Sequence, residues 1–320
     1  MAWNAWFALL TEEFSVSKKI SIRPWVDFAF RKIFGKPSNE ICLISLLNSV
    51  LDLPHPIQSV QFQNPFSLKD FQDDKLVCVD VKATDQLGRI FVVEIQIVVH
   101  ASFAKRALFY ACAAYADQLR KGQGYGELKA TYCVCLLMWR LWDNERLHHN
   151  YRLVERTTGR VMEESIEIHT VELSKYNGTS QSVRGASDLE QWCYWIKKAD
   201  EHTEEELRDL LPGLAFLRAT SELREIHEIT EEKEMYDSRE KAILDYESNL
   251  IDAREEGREE GREEGREEGE SIGMEKGRIR LLLELLDEPI LTKEELNGMS
   301  MEELASTMTR LQTRLRERNA

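Results

Sequence analysis

Apolar residues recur first at helical and then at strand spacing along the early part of this chain. Residues 27–35, Asp-Phe-Ala-Phe-Arg-Lys-Ile-Phe-Gly, space their aromatics for a helix and stop at Gly35, a C-terminal cap. Ser38 or Asn39, followed by Glu40, opens a second helix through Ile41, Leu43, Ile44, Leu46, Leu47 and Val50, which Pro54 and Pro56 end. Residues 57–62 alternate (Ile57, Val60 and Phe62 with polar neighbours) and predict an edge strand. Residues 102–121 predict a helix with two stripes, one of Arg106, Tyr110, Ala113 and Asp117, the other of Phe103, Ala107, Ala111 and Ala114. After Gly122, Gly124 and Gly126, the apolar run 132–139 predicts a central strand buried on both faces, with weaker strands at 151–155 and 166–173. This order predicts an α/β fold with a mixed sheet flanked by helices.

The stretch 76–100 carries the candidate chemistry. Two β-rich arms flank a polar turn, and pairing Asp85 with Arg89 leaves Gln86-Leu87-Gly88 as a three-residue loop, with Gly88 free to turn left-handed. That register sets Asp80 opposite Glu94. Cys78, Asp80 and Lys82 then share a face with Val92, Glu94 and Gln96, while Val77, Val79, Val81, Val93, Ile95 and Ile97 form the buried face. Two facing carboxylates about 5 Å apart repel unless a positive charge lies between them, as a divalent cation would. Two readings stay open: acids on the wet face of an amphipathic hairpin, or a metal site in a partly covered cleft.

Further along, Trp192, Trp195 and Ile196 start a helical region. Thr203 with Glu206 forms a capping box for a helix to Leu211, broken by Pro212-Gly213. From Ser221 the composition turns to Glu, Lys and Arg, and residues 254–270 repeat Arg-Glu-Glu-Gly. Glycines at about 1 kcal/mol each relative to alanine make that repeat a weak helix. A solvated, frayed linker is the simpler account; a glycine-striped helix packing on a partner copy is the sharper one. Residues 274–286 and 292–315, separated by Pro289, predict amphipathic helices suited to self-association. The expected layout is an α/β domain at 21–175, a helical extension at 186–220, a charged helix at 221–287 and C-terminal amphipathic helices at 290–320.

Composition changes this picture little. The net charge of −15 over 320 residues looks wrong for a nucleic-acid protein, yet residues 21–140 hold 14 basic against 11 acidic residues. The acidity lies elsewhere, so phosphate binding by the first module is not excluded. No apolar run reaches membrane-spanning length, and the apolar start lacks the basic leader and cleavage site of a secretory signal, reading instead as a docking helix or ragged terminus. Six cysteines (Cys42, Cys78, Cys112, Cys133, Cys135 and Cys193) contain no Cys-x-x-Cys pair, argue against zinc or a disulfide framework, and suit a reducing cytoplasm. No nucleophile elbow or Cys–His pairing supports a Ser or Cys hydrolase, and His148, His149 and His169 read as surface or strand residues.

Residues 27–35 and Leu46-Leu47-Asn48-Ser49-Val50-Leu51 resemble the opening of the Rpn-type recombination-promoting nucleases and putative transposases, a branch of the PD-(D/E)XK superfamily. Asp74-Lys75, Val79-Asp80-Val81, Gly88, Glu94-Ile95-Gln96, Arg106, Tyr110, Tyr115, Gln118-Leu119 and Gly124-Tyr125 continue the resemblance in order, over residues 25–142. The resemblance implies a metal-dependent DNA endonuclease in which Asp80 and Glu94 hold Mg²⁺, with the Ile95 carbonyl as a further ligand. Where the superfamily carries lysine this chain has Gln96, which can orient a water or phosphate oxygen but cannot act as a base. Lys82 on the same face would supply the missing charge, against the simpler account of a surface lysine. Asp27 adds an acid, or serves only the helix N-terminus. Arg106 and Tyr110 touch phosphate or support Glu94, or serve packing and ion pairing. The expected function is phosphodiester hydrolysis in DNA linked to recombination, transposition or defence, in a cytoplasmic homo-oligomer assembled through the C-terminal helices. The alternative is an inactive nuclease-fold scaffold that binds DNA or itself.

Overall fold

A computed structural model describes residues 19–63 and 79–318. Asp74-Lys75, the apolar opening of the chain, and Leu76, Val77 and Cys78 of the expected hairpin lie outside the described residues. Two compact units divide the chain, 1–243 and 244–320.

The first unit opens with α1 (Asp27–Phe34) and α2 (Glu40–Val50). Strands β1 (Val60–Gln63), β2 (Val81–Asp85) and β3 (Ile90–Gln96) follow, then α3 (Phe103–Ala116), β4 (Thr131–Leu137), β5 (His148–Arg152) and β6 (Ile166–Glu172). The six strands form one mixed sheet in the order β1-β2-β3-β4-β6-β5. β1, β2 and β3 pair antiparallel; β3, β4 and β6 run parallel; β5 returns antiparallel on the far edge. The fold is therefore the expected α/β class. The hairpin keeps the register read from its turn, with Val81 opposite Val93 and Thr84 opposite Ile90, and Gly88 takes φ +80°. β4 is buried along its whole length at the centre of the sheet, as the continuous apolar run predicts.

Both faces of the hairpin are buried, which overturns the wet-face reading. Val81, Ala83, Phe91, Val93 and Ile95 pack with α1 and α2 on one side. On the other, Ile90 and Val92 pack with Cys133, Cys135 and Leu137 under the Phe103, Ala107, Ala111 and Ala114 stripe of α3. A β-α-β crossover requires such cover, because its helix must lie on the sheet. Val79 corrects the expected alternation: it packs under α3, because the chain bends at Asp80 before β2 begins. α3 ends at Ala116 rather than at residue 121; Gln118 leaves the helix to bond the backbone N–H and C=O of Lys129 at the entry to β4. Asn39 does not cap α2. It is fully buried, donating to Lys32 O and Glu222 and accepting from Arg218.

Helices α4 (Asp188–Lys198), α5 (Glu204–Leu210) and α6 (Leu214–Glu228) belong to this same core. α4 begins before the tryptophans, at a capping box of Ser187 with Glu190, and α5 has the expected Thr203–Glu206 box. Trp192 and Trp195 are wholly buried: Trp192 meets Phe34 and Phe216 and donates to Ser45, and Trp195 donates to Thr220. α7 runs Thr230–Leu285, so the Arg-Glu-Glu-Gly repeat is helical, and it is exposed to solvent as the linker reading expects. A Cβ at Gly257, Gly261, Gly265 or Gly269 would meet nothing within 4 Å, so a single chain does not require glycine there. In the second unit the turn around Asp287 (φ 55°) leads to α8 (Lys293–Asn297) and α9 (Met301–Arg318), two helices where the pattern predicts one. Ile279, Leu283, Leu296, Leu304 and Leu311 cover one another within this unit. No described helix is long and apolar enough to cross a membrane.

Candidate active site

The site forms where β2 begins and β3 ends. Glu94 lies in β3 on the face that α3 covers, and Asp80 occupies the bend before β2. Asp80 is 8% exposed and Glu94 5%. They are joined through the backbone: the Asp80 N–H donates to Glu94 Oε1 at 3.0 Å, and the Ile95 N–H donates to Asp80 Oδ2 at 2.9 Å. Backbone groups alternate sides along a strand, and Gln96 O accepts from Met138 N on the β4 side. The Ile95 carbonyl therefore emerges on the same side as its N–H, toward Asp80.

Each carboxylate has an arginine. Arg31 on α1 donates from Nε to Asp80 Oδ1 at 3.0 Å. Arg106, in the first turn of α3, donates to Gln96 Oε1, and Gln96 Nε2 donates to Glu94 Oε2 at 3.0 Å. An arginine only donates, so the atom facing Arg106 must be the amide oxygen, which turns the amide nitrogen to Glu94. Gln96 thus passes the donor character of Arg106 on to Glu94, whose Oε2 accepts.

Burial outweighs these donors. It pushes the Asp80 carboxyl above its ordinary range despite the Ile95 N–H and Arg31. Glu94 is pushed well above its range by burial and then by the Asp80 charge, with Arg106 opposing. Glu94 stands beside Cys135 in the β3–β4 register, and that thiol is itself pushed far up by its bond with Cys133 and by burial. A thiol so buried is a packing residue, not a nucleophile.

Lys82 is not a surface lysine. It is 5% exposed, and its ammonium donates to Asp117 Oδ2 at 3.0 Å. The helix stripe read from the sequence thus meets polar strand residues at both ends, with Arg106 on Gln96 and Asp117 on Lys82. Tyr110 lies one turn beyond Arg106, half-buried and packed against the core under α3. Asp27 starts α1, where its carboxylate accepts from the Phe28 N–H and lies 3.9 Å from Arg239; its charge also raises Asp80. His148, His149 and His169 are strand residues away from the carboxylate pair, with His169 buried and bonded to His148. Arg31 is the residue that pattern reading missed. It lies four positions after Asp27 on the same helix face, and that spacing was its only signal.

Two carboxylates and a backbone carbonyl are hard oxygen donors of the kind Mg²⁺ takes while keeping much of its water. Among the described residues no group of three or more His, Cys, Asp or Glu side chains is arranged to hold a metal. An ion here would rest on Asp80, Glu94 and the backbone. Burial holds both carboxyls above their ordinary range, and a divalent cation beside them would favour their charged forms.

A mixed sheet with paired acids at the end of its central hairpin and a crossover helix above them defines a PD-(D/E)XK-type nuclease fold. Residues 24–253 match the PD-(D/E)XK nuclease family transposases, and the chain belongs to that family. No curated protein and no solved structure matches it.

Proposed function

We propose that this protein is a Mg²⁺-dependent DNA endonuclease that hydrolyses phosphodiester bonds in recombination, transposition or defence. One observation carries the reading: two buried carboxylates share one end of the sheet, Asp80 bonded by Arg31 and Glu94 reached by Arg106 only through Gln96, and burial raises both. A fold without a cation gains nothing from that pairing. Asp80, Glu94 and the Ile95 carbonyl would hold the ion. The chemistry such an ion supplies is activation of water and neutralisation of charge on the scissile phosphate. Gln96 is a positioning residue in this reading, because one amide donor and its acceptor oxygen are committed to Glu94 and Arg106. Arg106 supplies the fixed positive charge on that side. Self-association through the C-terminal helices belongs to the proposal and is supported by Met274, Leu281 and Leu285, which remain exposed on α7.

A nuclease-fold scaffold without activity is the second reading, favoured by the amide at position 96 in place of a lysine. Incubation with supercoiled plasmid, with and without Mg²⁺, separates the two. The nuclease reading expects metal-dependent nicking by the wild type and none by Asp80→Ala or Glu94→Ala. Equal inertness of all three, with DNA binding retained, would establish the scaffold.

A further inference from the structure

Asp80 and Glu94 meet their arginines differently. Arg106 reaches Glu94 only through Gln96, whereas Arg31 bonds Asp80 directly at Oδ1. The other Asp80 oxygen is held by the Ile95 N–H, a rigid group of β3. Oδ1 is therefore the Asp80 oxygen whose present partner is a side chain that can move, and the Arg31 side chain is 39% exposed. A cation bound by Asp80 would stand within a few ångströms of that guanidinium. Charges of the same sign at such a distance repel strongly even at an effective dielectric of about 20.

From this we infer that Arg31 is a counter-charge that competes with the divalent cation for Asp80: it neutralises the site when no ion is bound and gives way when one binds. This rests on the cation-site reading given above. Arg31 is then a positioning residue that sets the cation concentration at which the site fills. Asp27 lies one helical turn before Arg31, and its carboxylate adds negative charge around Asp80 without bonding it. It offers the guanidinium an alternative partner on the same helix face, at the i, i+4 spacing where such pairs meet. Arg106 has no such role, because its guanidinium is one amide away from Glu94 and can stay in place.

The test is a Mg²⁺ titration followed by thermal unfolding, on the full chain and without DNA, for wild type, Arg31→Ala, Arg31→Lys and Asp80→Asn. The expected results are stabilisation of the wild type by Mg²⁺ and its loss in Asp80→Asn. In Arg31→Ala the midpoint should move to at least about fivefold lower Mg²⁺, the low end for a coupling between two sites. Arg31→Lys, which keeps a charge within reach, should stay nearer the wild-type midpoint and guards against a merely misfolded alanine variant. If Mg²⁺ stabilises the wild type but not Asp80→Asn, while Arg31→Ala has an unchanged or higher midpoint, the competition is refuted and the cation site stands. If Mg²⁺ stabilises none of the four proteins, both fall.

Discussion

Asp80 and Glu94 show how little of a site's chemistry lies in the acids alone. Burial raises both carboxyls, and the Asp80 charge raises Glu94 further. The sign of the resulting pH dependence follows. Between the ordinary carboxylate range and these raised values, the native state holds protons that the unfolded chain has released, so stability without a cation falls as pH rises through that interval. Glu94→Gln removes the Glu94 share. In cation-free buffer its melting temperature should fall less steeply with pH above about 4.5 than the wild type's. An equal slope for both proteins would show that Glu94 is not raised. The substitution keeps an acceptor for the Asp80 N–H but sets two amide donors against each other at Gln96, so some loss of absolute stability is expected. The pairing of Asp80 with Glu94 followed from the register assumed at the turn, which the hairpin keeps from Val81 opposite Val93 to Thr84 opposite Ile90. The contact of Arg31 with Asp80 was not legible, because nothing local brings α1 to the bend before β2.

At the scale of elements, the central strands followed the pattern more closely than the helix ends did, whereas the edge strand expected at 151–155 begins at His148. A buried strand must present one apolar face, so its period is strongly constrained. A helix end depends on what its last carbonyls and first amides meet, and α3 stops where Gln118 turns to the backbone of Lys129. The helices after the sheet share the core of the first unit. We propose that α4 to α6 are part of the nuclease fold and not an extension of it, since Trp192, Trp195 and Phe216 complete the core over α1 and α2. Trp192→Ala should cost ~3–5 kcal/mol in denaturant unfolding, the range for a large aromatic removed from a packed interior. A chain ending at residue 175 should fail to fold, whereas one ending at residue 243 should unfold cooperatively. Cooperative unfolding of the shorter chain would restore the smaller domain.

For the molecule as a whole, the two units carry separate expectations. The first holds the sheet and the candidate site; the second buries Ile279, Leu283, Leu296, Leu304 and Leu311 among its own helices. Much of the apolar stripe that suggested assembly is therefore used within one chain, which leaves Met274, Leu281 and Leu285 for a partner copy. Removing residues 244–320 should leave Mg²⁺-dependent stabilisation intact and reduce the mass measured by sedimentation to that of a monomer. A truncated protein that still assembles would place the contact in residues 1–243.

The sequence by itself determined what depends on neighbours along the chain. Alternation gave the hairpin, a continuous apolar run gave the central strand β4, and the Thr-to-Glu spacing gave the Thr203–Glu206 cap. Those features rest on backbone sterics and on periods of two or 3.6 residues, which act over a few positions. Only the tertiary structure decided that Lys82 is buried against Asp117, that Asn39 joins Glu222 and Arg218, and that Arg31 stands on Asp80. Those pairs come from elements far apart in sequence, and each exists because a polar group removed from water must find a partner wherever the packing brings one.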